Sequence, residues 1–314
     1  PRSRDAKHTR MRPHPAVPLS SITMIVGSVL CFSALDSIIK TLAPNYPIPF
    51  LVWARWGVQT LALLIWWGPQ MKGRLFSTQK LPVQLFRGVV LVGSSFFFMT
   101  ALKYLPLAEA TALNYSTPAI VTLMAAMVLH ERLNKASIGF VLAGVVGMLL
   151  IVRPGADVFQ GASLLALGSA LCYSIFQILT RTVVDDDPRV SLFYPALVGT
   201  LLATLCVPFV EMPHDIATTD IALLVAGALV GTCGHFMFIL AFRHGAVSAL
   251  TPFTYFQIVF ATLIGWLLFG AFPDAWALSG MAIIAGSGLL ITLSQQRRAR
   301  SLATLTRPQP TAID

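Results

Sequence analysis

Gly27-Ser28-Val29-Leu30-Cys31-Phe32-Ser33 returns as Gly168-Ser169-Ala170-Leu171-Cys172-Tyr173-Ser174, an offset of 141 residues. The register continues through Lys40-Thr41 and Arg181-Thr182. At an offset of 140, Ala101, Thr111, Tyr115, Thr122 and Leu123 meet Ala241, Thr251, Tyr255, Thr262 and Leu263. Gly139, Gly147 and Leu149 then meet Gly280, Gly288 and Leu290 at 141 again. A repeat nearly half the chain long is far above solenoid periods. In a membrane protein it points to a transporter built from two related halves.

Composition decides the solvent. The chain is 56% hydrophobic and 11% charged, with a mean hydropathy of +0.74. That is too apolar for a water-soluble domain. A spanning helix needs about 20 mostly apolar residues. Ten such runs are expected, at 20–41, 48–67, 84–103, 107–129, 136–153, 160–180, 190–210, 219–241, 247–270 and 275–294. They lack the ten-residue alternation of barrel strands. The fold expected is all-α, with five helices in each half and a turn at Lys103-Tyr104 and Pro106 between the third and fourth.

The net charge of +9 is distributed as an orientation signal. With the amino terminus inside, 18 basic residues fall on the inner side: Arg2, Arg4, Lys7, Arg10, Arg12, Lys72, Arg74, Lys80, Arg87, Arg132, Lys135, Arg181, Arg189, Arg243, Arg297, Arg298, Arg300 and Arg307. Lys40, Lys103 and Arg153 fall outside, and Arg55 lies within a helix. Basic residues near helix ends stay cytoplasmic, so both termini are expected inside a cell membrane. This reading displaces nucleic acid as a partner. Five helices per half is odd, which makes the second half an inverted copy of the first. The basic tails 1–18 and 297–314 carry few structure signals, and the halves are expected at 19–155 and 156–296. The first apolar run enters the repeat without a cleavage pattern, so it reads as a span and not a removable leader.

Cys31, Cys172, Cys206 and Cys233 fall in apolar runs and read as packing residues. No His or Cys cluster has metal-ligand spacing, and no phosphate loop, dinucleotide fingerprint or nucleophile elbow occurs. The expectations are no metal, no cofactor and no enzyme activity.

These residues resemble the EamA-type halves of the drug/metabolite transporter superfamily over residues 20–295. The likeness is carried by Ala34-Leu35-Asp36 with Lys40, by Arg55, by Arg87-Gly88, and by Leu105-Pro106-Leu107-Ala108-Glu109-Ala110. Pro118, His130-Glu131-Arg132-Leu133 and Ile151-Val152-Arg153-Pro154-Gly155 complete it. The second half departs: Gly270-Ala271-Phe272 lacks the usual acidic residue, and Ala249 stands where Glu109 has its counterpart. The resemblance implies ten helices, cytoplasmic termini, a central cavity and movement of small organic solutes. The first half is most similar to bacterial members assigned to metabolite uptake, including S-adenosylmethionine and riboflavin carriers.

Charge within a span is costly and normally faces partners or water. Asp36 and Lys40 share one helical face, with Phe32 a turn earlier; Tyr173, Gln177 and Arg181 form the matching stripe. Asp36, Lys40, Arg55, Lys103 and Glu109 all fall toward the outer side. Asp36 with Arg55 is the expected pair, either a gate or substrate anchor or a static tie between helices; Lys103 snorkels.

At mid-depth, Thr111, Asn114, Tyr115 and Ser116 face Thr251, Thr254, Tyr255 and Gln257. Pro118 and Pro252 deprive the carbonyls of Asn114 and Ser248 of their usual donors. Asn114, Tyr115, Tyr255 and Gln257 are read as cavity lining or as interhelical hydrogen bonding. Candidate substrate-binding residues are therefore Asp36, Arg55, Glu109, Asn114, Tyr115, Tyr173, Gln177, Tyr255 and Gln257. Glu109, Asp36 and His235 are the candidates for proton coupling, although His235 also reads as an interhelical donor.

Gly139, Ala143, Gly147, Ala282 and Gly286 read as helix packing or a homodimer face. Trp53, Trp56, Trp66 and Trp67 read as interface anchors. The expected function is secondary active transport of a small polar metabolite by alternating access, proton-coupled or by exchange. The metabolite would be amino-acid-like, nucleoside-derived or vitamin-like. The alternatives are a passive channel and a non-transporting sensor or assembly subunit.

Overall fold

The computed structural model describes residues 19–128, 135–152, 161–183, 186–210, 213, 215–244, 250 and 253–305. Residues 1–18, 130–133, 153–155, 248–249, 251–252 and 306–314, which include both tail ends and Pro252, lie outside them. The described residues are helical and contain no strand.

The first half holds α1 (Leu19–Leu42), α2 (Ile48–Met71), α3 (Leu81–Tyr104), α4 (Leu107–Asn114), α5 (Thr117–Val128) and α6 (Lys135–Val152). The second holds α7 (Ala162–Thr182), α8 (Pro188–Cys206), α9 (Thr218–His244), α10 (Phe256–Phe269) and α11 (Ala275–Leu305). Six helices, α1, α2, α3, α7, α8 and α9, are long and apolar enough to cross a membrane. Shorter apolar stretches occupy Val141–Val152, Phe256–Phe269 and Ala275–Leu290. The 24 residues of α1 rise about 36 Å, enough for a hydrocarbon core of about 30 Å. The chain is a multi-pass membrane protein.

Each long helix packs antiparallel on one from the other half. Along α1 and α9, Ile38 meets Gly227, Leu35 meets Gly231 and Phe32 meets Gly234. Along α3 and α7, Phe97 meets Gly168, the Ser94 and Ser169 hydroxyls are 2.9 Å apart, and Arg87 reaches Thr180. Thr60 and Thr200 join α2 to α8 at 2.8 Å. Small residues let these backbones close up, which replaces the hydrophobic drive that is missing in lipid. The closest approach is α6 on α11: a Cβ on Gly147 would fall 2.8 Å from the Gly280 carbonyl oxygen, and one on Gly280 2.5 Å from that of Gly147. Gly139 and Gly286 meet open space, so the packing stripe runs through Gly144 and Gly147 instead.

Three sequence expectations change. The single run 107–129 is two helices, α4 and α5, broken at Tyr115-Ser116. Pro118 has no N–H for the Asn114 carbonyl, and the Thr117 hydroxyl supplies that donor at 2.7 Å. The segment from 297 continues α11 to Leu305, because Gln, Arg, Ala and Leu favour helix and no proline intervenes. Trp56 and Trp67 are buried, not interfacial; Trp56 packs on Gly199 of α8, whereas Trp66 remains exposed.

Candidate functional site

The breaks in the fourth and ninth runs meet. Tyr115 forms the turn after α4, and Tyr255 forms the turn before α10. Their rings lie 5.2 Å apart, centroid to centroid. The Tyr115 hydroxyl is 2.7 Å from the Thr254 carbonyl and 3.0 Å from Gln257 Oε1, so its one hydrogen is shared between two acceptors.

Gln257 carries the network onward. Its Nε2 donates to Asp36 Oδ2 at 3.2 Å, and its backbone carbonyl accepts from Ser33 at 3.4 Å. The acidic residue and the paired aromatic residues are thus one chain: Asp36 on α1, Gln257 on α10, Tyr115 beside α4. Sequence reading treated them as two groups.

Arg55 of α2 donates to Ser95 of α3 at 3.1 Å and stacks on the Trp56 ring at 4.8 Å. Asp36 and Arg55 lie within electrostatic reach of each other. Among the described residues, however, the hydrogen bonds of Asp36 and Arg55 go to Gln257 and Ser95 and not between the two charges. His235 of α9 also lies within reach of Arg55. Its Nδ1 is 2.9 Å from the Gly231 carbonyl on its own helix, and its ring meets Phe32 edge-on at 4.7 Å. Tyr173 of α7 lies within electrostatic reach of Tyr115 and stacks on Phe176 at 5.7 Å. Gln177 itself is exposed.

Glu109 sits in the first turn of α4, at the opposite end of that helix from Tyr115, within electrostatic reach of Lys40. Lys40 Nζ donates to the carbonyls of Leu102 (3.0 Å) and Leu105 (2.6 Å) and lies 5.6 Å from the Phe269 ring centre. A cation there complements the carbonyl end of α3. Lys40 is therefore tied to the α3–α4 turn, while Lys103 is exposed.

Thr111, Asn114 and Ser116 carry the remaining signal. Their side-chain oxygens are buried without a hydrogen-bond partner among the described residues. Each such atom costs about 1–3 kcal/mol unless something fills its valence. Three in one short stretch, around a tyrosine joined through Gln257 to a buried carboxylate, is the arrangement of a polar binding site. The Tyr255 hydroxyl is also buried and unpartnered, but it points onto Gly288 of α11. Thr111 and Ser116 read from sequence only as polar neighbours of Asn114 and Tyr115. No group of three or more His, Cys, Asp or Glu residues that could hold a metal occurs among the described residues.

Comparison with known proteins agrees with this architecture. The EamA-like transporter family matches residues 19–153 and again 160–293. The chain is 27% identical to the pseudopaline exporter of Pseudomonas aeruginosa over 84% of this chain and 93% of that one. It is 24% identical to the riboflavin transporter of Vibrio cholerae, covering 91% and 98% respectively. It is also 24% identical to the S-adenosylmethionine uptake transporter of Rickettsia conorii, covering 89% and 94%. One solved crystal structure superposes with a TM-score of 0.62 at 24% identity, over 89% of this chain and 99% of its own.

Proposed function

The chain belongs to the EamA-like transporter family, a family of transporters and not enzymes, and from that premise we propose that it is a secondary carrier for a small polar organic solute. The solute binds where the α4 break faces α10. The observation that carries this reading is the set of unpartnered buried oxygens at Thr111, Asn114 and Ser116, on the stretch whose Tyr115 is joined through Gln257 to Asp36. Asp36 has one carboxylate oxygen bonded to Gln257, and Arg55 has one N–H bonded to Ser95. Their remaining valences suit a metabolite bearing both a cationic and an anionic group, with Tyr115 and Tyr173 as aromatic walls. An amino-acid-like, nucleoside-derived or vitamin-like solute fits, and the solutes named for the relatives are S-adenosylmethionine, riboflavin and pseudopaline.

The moving parts are two inverted five-helix halves, 19–155 and 156–296, rocking around this site in a cell membrane with both termini cytoplasmic. The internal repeat, the bias of basic residues and the antiparallel exchange of partners (α1 with α9, α3 with α7) support that reading. Energy comes from a gradient or from exchange, with Glu109, Asp36 and His235 as the proton-carrying candidates.

A thermal-shift screen of purified protein against S-adenosylmethionine, riboflavin and a panel of amino acids identifies a binder, because ligand that favours the folded state raises the unfolding temperature. In proteoliposomes, uptake of that solute is expected to rise when unlabelled solute is trapped inside. Asp36→Asn and Arg55→Gln should fold and lose this exchange. Flux that ignores trapped solute would instead identify a passive pore.

A further inference from the structure

Two hydroxyl-to-carboxylate contacts join the halves at the two ends of the molecule. In the loop between α1 and α2, the Tyr46 hydroxyl donates to Asp220 Oδ2 at the start of α9, at 2.6 Å. In the loop before α3, the Thr78 hydroxyl donates to Asp186 Oδ2 between α7 and α8, also at 2.6 Å. Hydrogen bonds to an ionised carboxylate are short and strong compared with neutral ones. All 24 residues of α2 separate Tyr46 from Thr78, so the contacts lie about 36 Å apart along the helix direction.

The repeat relates them. At the 141-residue offset, Asn45 corresponds to Asp186 and Gln79 to Asp220. Each contact therefore ties the loop after the first helix of one half to the entry of the third helix of the other. The Asp186 contact extends inward: Gln84 Nε2 donates to the same oxygen at 2.7 Å, and Gln84 Oε1 accepts from Arg87. Arg87 is 1% exposed, donates to the Thr180 hydroxyl at 3.1 Å and lies over the Phe176 ring at 4.9 Å. Lys80 closes the same seam by donating to the Thr182 carbonyl. The polar chain from Asp186 thus ends on a buried cation in the wall between α3 and α7.

We infer that these two latches are the gates of the carrier: Tyr46–Asp220 shuts one end of the central site, Thr78–Asp186 shuts the other, and transport opens them in turn. The inference rests on the carrier reading above. Both latches are closed in this structure. Releasing one carboxylate lets the two halves part at that end while the opposite bond remains as the hinge.

Accessibility measures this without a known solute. In a chain with Cys31, Cys172, Cys206 and Cys233 replaced by alanine, Asn114→Cys places a reporter thiol at the site. A membrane-impermeant methanethiosulfonate is added to either face of oriented proteoliposomes. Tyr46→Phe is expected to raise labelling from the Tyr46 face about tenfold and lower it from the other, the factor for loss of one charge-assisted hydrogen bond. Asp186→Ala is expected to do the reverse by about three- to fivefold, since this contact is largely solvated, with Thr78→Val as the second variant should the first lose its monodisperse profile. If the reporter reacts from each face in the parent, but both variants favour the same face or stay within about twofold of it, the latches are not the gates and the carrier reading stands. A reporter that reacts from neither face in any variant would overturn both.

Discussion

The hydroxyl of Tyr255 rests on the bare Cα of Gly288. A Cβ on Gly288 would fall 1.5 Å from that oxygen and 2.4 Å from the ring carbon bearing it. The ring held there is the one that meets Tyr115. Gly288→Ala should force the ring to move and destabilise the protein by about 1–3 kcal/mol, the usual cost of overpacking. Gly286→Ala, on the same helix with open space at its Cβ, should be neutral within about 0.5 kcal/mol or gain helix propensity. Unfolding midpoints in detergent compare the two; equal midpoints would remove the Tyr255–Gly288 contact as a constraint.

Gln257 bridges Asp36 and Tyr115 with the two ends of one amide. Gln257→Leu deprives both of that partner, and the expected loss is about 1–3 kcal/mol together with loss of solute binding. Tyr115→Phe keeps the Gln257–Asp36 bond and should cost about 1 kcal/mol. A double-mutant cycle on Gln257 and Tyr115, read by thermal unfolding, should give a non-zero coupling energy; additive losses would mean that the amide does not link them.

The carboxyl of Asp186 titrates below its ordinary range. Partial burial pushes it up, but hydrogen bonds from Thr78, Gln84 and the Gln79 backbone N–H, with the charge of Lys80, pull it down further. Arg87 and the Tyr194 hydroxyl also face it. A lowered folded value means that the latch contributes fully above the unfolded carboxyl value of about 3.9 and loses strength as pH falls through the lowered one. The site is largely solvated, so the contribution is expected below about 1 kcal/mol. Unfolding temperature measured between pH 7 and pH 3 should fall less steeply for Asp186→Asn than for the parent. Parallel curves would exclude Asp186 as a contributor to the acid loss.

The bias of basic residues predicts which side each loop faces. Asp215 precedes α9 and Gln79 precedes α3, and both are exposed. In a cysteine-free chain, Asp215→Cys should react with impermeant maleimide on intact cells. Gln79→Cys should react only after the membrane is opened. Labelling of both from one side would contradict the inverted arrangement, and reversed labelling would turn the molecule over.

Six of the spans were legible because the hydrocarbon requirement leaves a coarse, length-based trace in sequence. The α3–α4 turn at Pro106 was legible for a similarly local reason, since proline marks a helix start. The break at Tyr115-Ser116 was half legible: Pro118 announced a missing N–H, but not that the Thr117 hydroxyl would replace it and let the chain end one helix and begin another. Partner choice was not legible. Asp36 and Gln257 are 221 residues apart, and which amide meets which carboxylate depends on the rotation of two helices about their axes. The same holds for Trp56, whose burial is decided by Gly199 on another helix. Glu109 likewise has Lys40 nearby, a relation set by the packing of α1 on the α3–α4 turn.

At both seams the hydroxyl comes from the first half and the carboxylate from the second. The duplicated halves have therefore ceased to be interchangeable parts. A protein assembled from two first halves would set Tyr46 against the Gln79 position, and a protein of two second halves would set Asp187 against Asp220, two like charges, at one of its ends. Only the unlike pair of halves places a hydroxyl on a carboxylate at both ends. Fusion in a single chain keeps that pairing at fixed stoichiometry.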